Sequence, residues 1–463
     1  MKLGMNLMPR RMPIWFAIAA FVIGNGFVFV NPPLKAPDEC AHFARAYQLA
    51  SLQLIPQKQN NILGGYVPSG IPLLAIRFAK VSFDGARVAQ MLDARKIPFD
   101  EHDIRFIVFP SIARYPWIPF IPQAVGIAIA RPFCSSAIAV MYVAREANLV
   151  GYILLASVAL RLMPECRARL ALALIALLPM SLFLAASLSA DAVTIAMSLI
   201  VASALWRLIF LPGRASNGDL ALLLISTICL SLTKIAYMPI SLLALAIPKN
   251  RLGNARRYRT LILMLPVYNC AAIILWMLQF HGMPSVDLNP AVNPAAQEQY
   301  ILHHPGAILP ILLHTMTLHG KEIFSGVVGS FGWNEILMPT VLVVIYAFIL
   351  FIPVIASGPP LRWPVAIFAI SIAAADLLAI LIGFYIECRS VAEPAIDGVQ
   401  GRYLIPLLPM LIFLLGAKPR FAPRLDRLLL IIAILISIFA VIFLAQEIYP
   451  GAPFSRFDFR WSD

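Results

Sequence analysis

Apolar runs of about 18 to 22 residues recur along nearly the whole chain, the length a helix needs to cross roughly 30 Å of hydrocarbon at about 1.5 Å per residue. Inside lipid such a segment must satisfy its own backbone hydrogen bonds, which leaves helices or closed barrels. Barrel strands would be short and alternating, and these runs are neither. With 60% hydrophobic and 13% charged residues and a mean hydropathy of +0.83, the chain has more apolar surface than a water-soluble globule can cover. The expected fold class is an all-α polytopic membrane protein, a single membrane domain over 1–463.

The runs predict about eleven spans, near residues 13–31, 138–161, 170–188, 191–211, 219–233, 236–248, 260–280, 339–356, 363–385, 403–417 and 428–447. Ile14 to Val30 has the composition of a signal peptide, but no small-x-small cleavage pattern follows it and NPPLKAPDE comes next, so it reads as a span. Trp117 to Ala130 is too short and too proline-rich to cross, and reads as a helix in or dipping into the interface. Two long connections remain, 32–137 and 281–338, with a short one at 387–402; extended connections of this kind are usually functional.

The net charge of +13 suggests nucleic acid only until its distribution is read, because Lys and Arg sit between apolar runs and not on one soluble face. With the N-terminus inside, MKLGMNLMPRR, PECRAR, PGR, KNRLGNARRYR, PPLR and KPRFAPRLDR all fall on the cytoplasmic side. Basic residues outnumber acidic ones several-fold there, and the outer side is close to balanced, as retention of cations inside requires. The six cysteines, Cys40, Cys134, Cys166, Cys229, Cys270 and Cys388, form no CxxC and read as buried small residues.

Directly after the first span comes PPLKAPDECAHFARA. Pro37 pre-sets a helix start, which puts Asp38 and Glu39 in a first turn, at the positive end of the helix dipole. Asp38, His42 and Arg45 then stack at i, i+4 and i+7 on one face, with Glu39 turned about 100° away. The plain alternative is a helix cap with a surface ion pair from Asp38 to Arg45. Further polar residues stand at outer membrane edges: Asp191 in SLSADA, Lys234 and Tyr237 in LTKIAYMPI, Arg402 and Tyr403 in QGRYLIPLLP. A lone Lys or Arg at a helix end commonly snorkels to headgroups. Lys234 and Arg402, however, are on the side that positive charge avoids, and so require an anionic partner, either a carboxylate such as Asp191 or a lipid phosphate. Asp376, inside a span, must face the bundle interior. The histidines, among them His281, His303, His304, His314 and His319, show neither HExxH nor an i, i+4 pair, which argues against a zinc site. No Walker loop, GxSxG elbow or helix-opening GxGxxG is present.

An N-in first span followed by an outer loop that opens with Asp-Glu resembles the GT-C class of membrane glycosyltransferases, which includes the protein O-mannosyltransferases and the lipid A aminoarabinose transferase. More closely, PPLKAPDECAHFARA, ARYPWIPFIPQAVG, SLSADA, LTKIAYMPI, GSFGWNEILMP and QGRYLIPLLP, in this order, resemble a largely uncharacterised bacterial family of predicted membrane proteins placed in that class. The resemblance implies a GT-C-like fold in the bacterial inner membrane and an active site at the periplasmic face. It also implies a sugar donor on polyprenyl phosphate and a glycan, lipid or protein acceptor in the cell envelope. By position Asp38 matches the catalytic acid of the class, and the resemblance leaves open whether Glu39 shares or takes that role. His42 and Arg45 are then expected to orient the carboxylate, and Asp191, Lys234, Tyr237, Arg402 and Tyr403 to bind substrate. No cofactor is expected; the second DxD-type motif of metal-dependent oligosaccharyltransferases is lacking, which leaves a divalent metal as an open alternative. A lipid-linked-glycan flippase or an O-antigen ligase or polymerase is the competing expectation. A flippase would line a central path with polar groups, whereas only Asp376 is clearly intramembrane, and the ligases place their arginines in a late loop.

Overall fold

The computed structural model describes residues 8–60, 62–79, 88–280, 292–357, 362–415 and 423–449; His281 and most of the PPLR segment lie outside them. The chain is predominantly helical. α1 (Met8–Val30) is followed by the first long connection, which holds α2 (Glu39–Ala50), α3 (Gly70–Ala79), α4 (Val88–Ala94), α5 (Pro110–Ala113) and α6 (Ile121–Ala130). α7 (Ala137–Leu162), α8 (Arg167–Ala176), α9 (Pro179–Ala185), α10 (Asp191–Phe210) and α11 (Asn217–Thr233) follow. After a 3-10 helix, Ile235–Ala246, come α12 (Ala255–Met277), α13 (Pro294–His303), α14 (Ile308–Val328), α15 (Thr340–Ile355) and α16 (Trp363–Cys388). A second long 3-10 helix, Gly401–Leu414, leads to α17 (Pro423–Ile448).

Among the described residues, six helices are long and apolar enough to cross a membrane, and up to eight crossings result if each of two bent pairs counts as one span. All six coincide with runs expected from the sequence. The expected span 170–188 is instead broken: α8 and α9 meet at 57°, because Pro179 has no N–H for the helical ladder and forces Leu178 into extended backbone. The runs 219–233, 236–248, 339–356 and 403–417 fall on helices of 12 to 17 residues, two of them 3-10. The stretch expected at the interface, Trp117 to Ala130, is helical from Ile118.

α10 forms the centre of the bundle: 89% of its apolar window is buried, against 11% for α12 at the periphery. α7 packs on α1, α6 and α10, which fastens the first long connection to the core. Asp376 is fully buried in α16, as an acid in a span must be.

Further features differ from the sequence reading. The first long connection contains an antiparallel sheet, β1 (Gln57–Gln59), β2 (Ile62–Pro68) and β3 (Ile104–Val108), with Gly65 opposite Ile107 and Tyr66 opposite Phe106. The second long connection is not a loop but mostly helix, α13 and α14 meeting at 95°. It ends in the hairpin β4 (Ser330–Phe331) and β5 (Ile336–Leu337), whose Phe331 packs on Phe27 and Phe183 with ring centroids 5.6 and 5.1 Å away. Among the described residues the cysteines form no disulfide; only Cys166 is buried, whereas Cys40, Cys134, Cys229 and Cys270 are partly exposed and Cys388 is exposed, contrary to the buried reading.

Candidate functional site

The end of α1 and the start of α2 are held together by Arg145, from the second apolar run. Its guanidinium has five N–H donors, and all five are used. Nε and one Nη2 proton donate to Glu39 Oε1 and Oε2 at 2.8 and 2.7 Å; the remaining three meet the carbonyl oxygens of Val28, Asn31 and Pro32 at 3.1, 2.8 and 3.0 Å. Both side chains of the pair are completely buried. Glu39 also accepts the backbone N–H of Leu188 at 3.1 Å and of Ala36 at 3.3 Å. Its carboxylate is therefore a hub that ties α2, α7 and the SLSADA loop into one frame.

That frame sets the neighbouring acid in a different environment. Asp38 is the N-cap of α2, at φ 58° and ψ 11°; this left-handed conformation is one that Asp tolerates better than most residues. The helix thus begins at Glu39, one residue later than the sequence suggests, and the Asp38 side chain makes no capping bond. It stays 34% exposed and lies 3.5 Å from Arg402 Nη2. The expected Asp38 to Arg45 pair does not form. Arg45 is fully buried and donates to Gln48 Oε1 and to the carbonyls of Gln53 and Leu54, closing the far end of α2.

Asp191 reaches the same place from the core. Asn148 Nδ2 donates to the carbonyls of Ser187 and Ser189 at 2.7 and 3.1 Å, Gln123 Nε2 to that of Ser189 at 3.3 Å, and Ser189 Oγ accepts the N–H of Asp191. Fixed in this way, Asp191 divides its oxygens between two cations, with Lys234 Nζ at 2.6 Å from Oδ1 and Arg402 Nη1 at 3.3 Å from Oδ2. Tyr403 joins both: its hydroxyl accepts from Arg402 Nη2 at 3.0 Å, and Lys234 Nζ stands 4.3 Å from its ring centroid. Tyr237 donates its hydroxyl to the Tyr403 carbonyl at 2.8 Å, joining the two long 3-10 helices. Gly401 makes that approach possible. A Cβ there would lie 2.0 Å from the Ile323 carbonyl oxygen and 2.5 Å from Gly326 C, so α14 and the second 3-10 helix touch backbone to backbone.

His42 completes the constellation. It is buried, its ring lies against Phe120 with centroids 5.7 Å apart, and Nδ1 has no hydrogen-bond partner. Burial lowers its pKa to about 4, opposed only in part by Asp38 and Asp191, so the imidazole is neutral at pH 7.

Of the nine residues singled out from the sequence, Asp38, His42, Asp191, Lys234, Tyr237, Arg402 and Tyr403 come together. Glu39 and Arg45 face away into structural contacts. Two participants were missed. Arg145 stands with Glu146 inside the expected span 138–161, and that charged pair within an apolar run was the available signal. Tyr115, in ARYPWIPFIPQAVG, feels Lys234, Tyr403, Asp191 and Asp38, and burial raises its phenol pKa; its proline-aromatic setting was the available signal. Among the described residues no group of three or more His, Cys, Asp or Glu side chains is arranged to hold a metal ion.

Helices of crossing length and a buried cluster of two cations and two carboxylates at one end of the bundle define a polytopic α-helical membrane protein with a polar site at one face. The chain belongs to the family described as Predicted membrane protein (DUF2142), whose model matches residues 21–411. No curated protein and no solved structure matches it.

Proposed function

We propose that the protein is an inverting glycosyltransferase that moves a sugar from a polyprenyl-phosphate carrier to a cell-envelope acceptor, with Asp38 as the general base. On this reading it crosses the bacterial inner membrane about eleven times, N-terminus inside, and the cluster opens at the periplasmic face. The distribution of Lys and Arg supports that orientation, since the connections at the opposite end of the bundle are the basic ones.

The observation that carries the proposal is the unequal treatment of two adjacent carboxylates. Glu39 is sealed on Arg145, whereas Asp38 is partly open and next to a cation with almost no solvent contact. A base must reach its substrate. The acceptor hydroxyl gives its proton to Asp38 as its oxygen bonds to the anomeric carbon; the bond from that carbon to the phosphate oxygen breaks, and polyprenyl phosphate leaves with the electron pair. A phosphate leaving group needs little protonation but needs positive charge, which Arg402 and Lys234 supply. Asp191 keeps both cations charged and in place in the absence of substrate. Neutral His42 adds no third positive charge beside the leaving group.

The test is turnover by protein reconstituted in liposomes with synthetic polyprenyl-phosphate hexose and an envelope extract as acceptor. Released polyprenyl phosphate, lost in Asp38→Asn, is the expected result. Donor carried across the bilayer intact, or unaltered turnover in Asp38→Asn, refutes the reading.

A further inference from the structure

α10 begins at Asp191, the first long 3-10 helix follows Lys234, and α16 ends at Cys388 on the side of the charged cluster. Their other ends, Phe210, Ala246 and Trp363, therefore meet at the far end of the bundle, about 30 Å away along the 20 residues of α10. Between them is a cavity of about 500 Å³ with an apolar wall of Ile209, Phe210 and Pro212 and a rim of Arg214, Arg251 and Arg362. That volume lies in the ordinary range of ligand sites.

The three arginines differ in what they have left to offer. Arg251 is committed, because its guanidinium donates to the carbonyls of Arg207, Leu208, Pro212 and Gly213. These belong to the last turn of α10 and its exit, where unpaired carbonyls and the negative end of the helix dipole would otherwise repel an anion. Arg214 and Arg362 are exposed. The Arg214 guanidinium lies against Gly253, and that of Arg362 is 6.0 Å from the Phe210 ring centroid. Neither forms an ion pair with a carboxylate among the described residues. A neighbouring acid, Asp219, is already held by Arg207 and Ser216.

We propose that this cavity binds the headgroup of an anionic phospholipid, its phosphate between Arg214 and Arg362 and its chains leaving along Phe210, Leu211 and Pro212. The phosphate chemistry alone would also suit a soluble anion. The apolar wall continuous with the cations favours an amphiphile, and basic pockets between membrane helices are known settings for such headgroups. The site is at the opposite end from Asp38, and the proposal stands whether or not the cluster transfers sugar.

The experiment is native mass spectrometry of the full chain released from detergent after incubation with phosphatidylglycerol, phosphatidylcholine or inorganic phosphate. One retained phosphatidylglycerol, no retained phosphatidylcholine and no displacement by millimolar phosphate are expected. Arg214→Gln with Arg362→Gln should lower retention about tenfold or more, and Arg362→Gln alone should lower it if the double variant does not fold. Arg256→Gln with Arg259→Gln, an equal loss of charge on exposed positions of α12 outside the cavity, should leave retention intact. Undiminished binding in the Arg362 variants, equal loss in the α12 control, or displacement by phosphate would each overturn the proposal.

Discussion

Replacing Glu39 and Asp38 in turn by their amides separates the structural acid from the reactive one. Glu39→Gln removes one charge from a pair whose side chains are both fully buried, with two direct contacts of 2.8 and 2.7 Å. Arg145 is left as an uncompensated cation, and breaking a buried pair in this way costs about 3–5 kcal/mol. Asp38→Asn removes a contact of 3.5 Å from a side chain that is one-third exposed, while Arg402 retains Asp191; screening limits that loss to about 1 kcal/mol or less. The amide also fits the left-handed backbone there. Unfolding by sodium dodecyl sulfate titration in mixed micelles should therefore show a large loss for Glu39→Gln and almost none for Asp38→Asn. Turnover should show the reverse once folded protein is compared, with Asp38→Asn lowering it about 10²- to 10⁴-fold. Combining Glu39→Gln with Arg145→Met should recover part of the stability, a coupling of about 2 kcal/mol. If Asp38→Asn proves the more destabilising, or the two losses simply add, the division of roles is wrong.

Arg402→Ala should weaken apparent donor affinity at least about tenfold, the value of a charged hydrogen bond, as read by donor titration; Arg402→Lys should restore it only in part because the planar fork is lost. His42 has a folded-state pKa near 4 against 6.5 when exposed. Its neutral form is favoured by folding, so its contribution is complete above pH 6.5 and is lost as pH falls towards 4; detergent unfolding at pH 7.5 and 5 should show an acid sensitivity that His42→Phe reduces. Gly401→Ala, by pushing a methyl group into the backbone of α14, should cost about 1–3 kcal/mol and lower turnover together with stability. Neither carboxylate oxygen of Asp376 has a hydrogen-bond partner, so Asp376→Leu should be neutral or stabilising in the same titration, and a marked loss would reveal a partner.

The long spans were legible because lipid dictates their length and composition, and nothing else in the sequence mimics twenty apolar residues. The bend at Pro179 was legible in principle, since proline announces its own effect. The sheet of the first long connection was not, because β1 is three polar residues and is a strand only through pairing with β2. α14 escaped notice because His314, His319, Lys321 and Glu322 interrupt its hydropathy, although its apolar positions still pack against the second 3-10 helix. In the site, the need of Lys234 and Arg402 for an anionic partner could be read from the sequence, which also offered Asp191 as a carboxylate for them. How its two oxygens would be divided between them could not, since Asp191 and Arg402 are distant in sequence and share a contact only in the fold. The orientation of α2 failed for a local reason: one left-handed residue at Asp38 changed where the helix began.

Lys234 caps the start of the first long 3-10 helix, and Arg402 is the second residue of the other. A 3-10 helix rises about 2.0 Å per residue and turns 120°, against about 1.5 Å and 100° for an α-helix. Recoiling a single three-residue turn would draw either cation about 1.5 Å along its axis and swing it by about 60°. Pro239 in one helix and Pro406 and Pro409 in the other supply no N–H to an α-helical ladder. The winding of two apolar segments thus fixes the depth and aim of both positive charges, and the prolines act as stops on that winding.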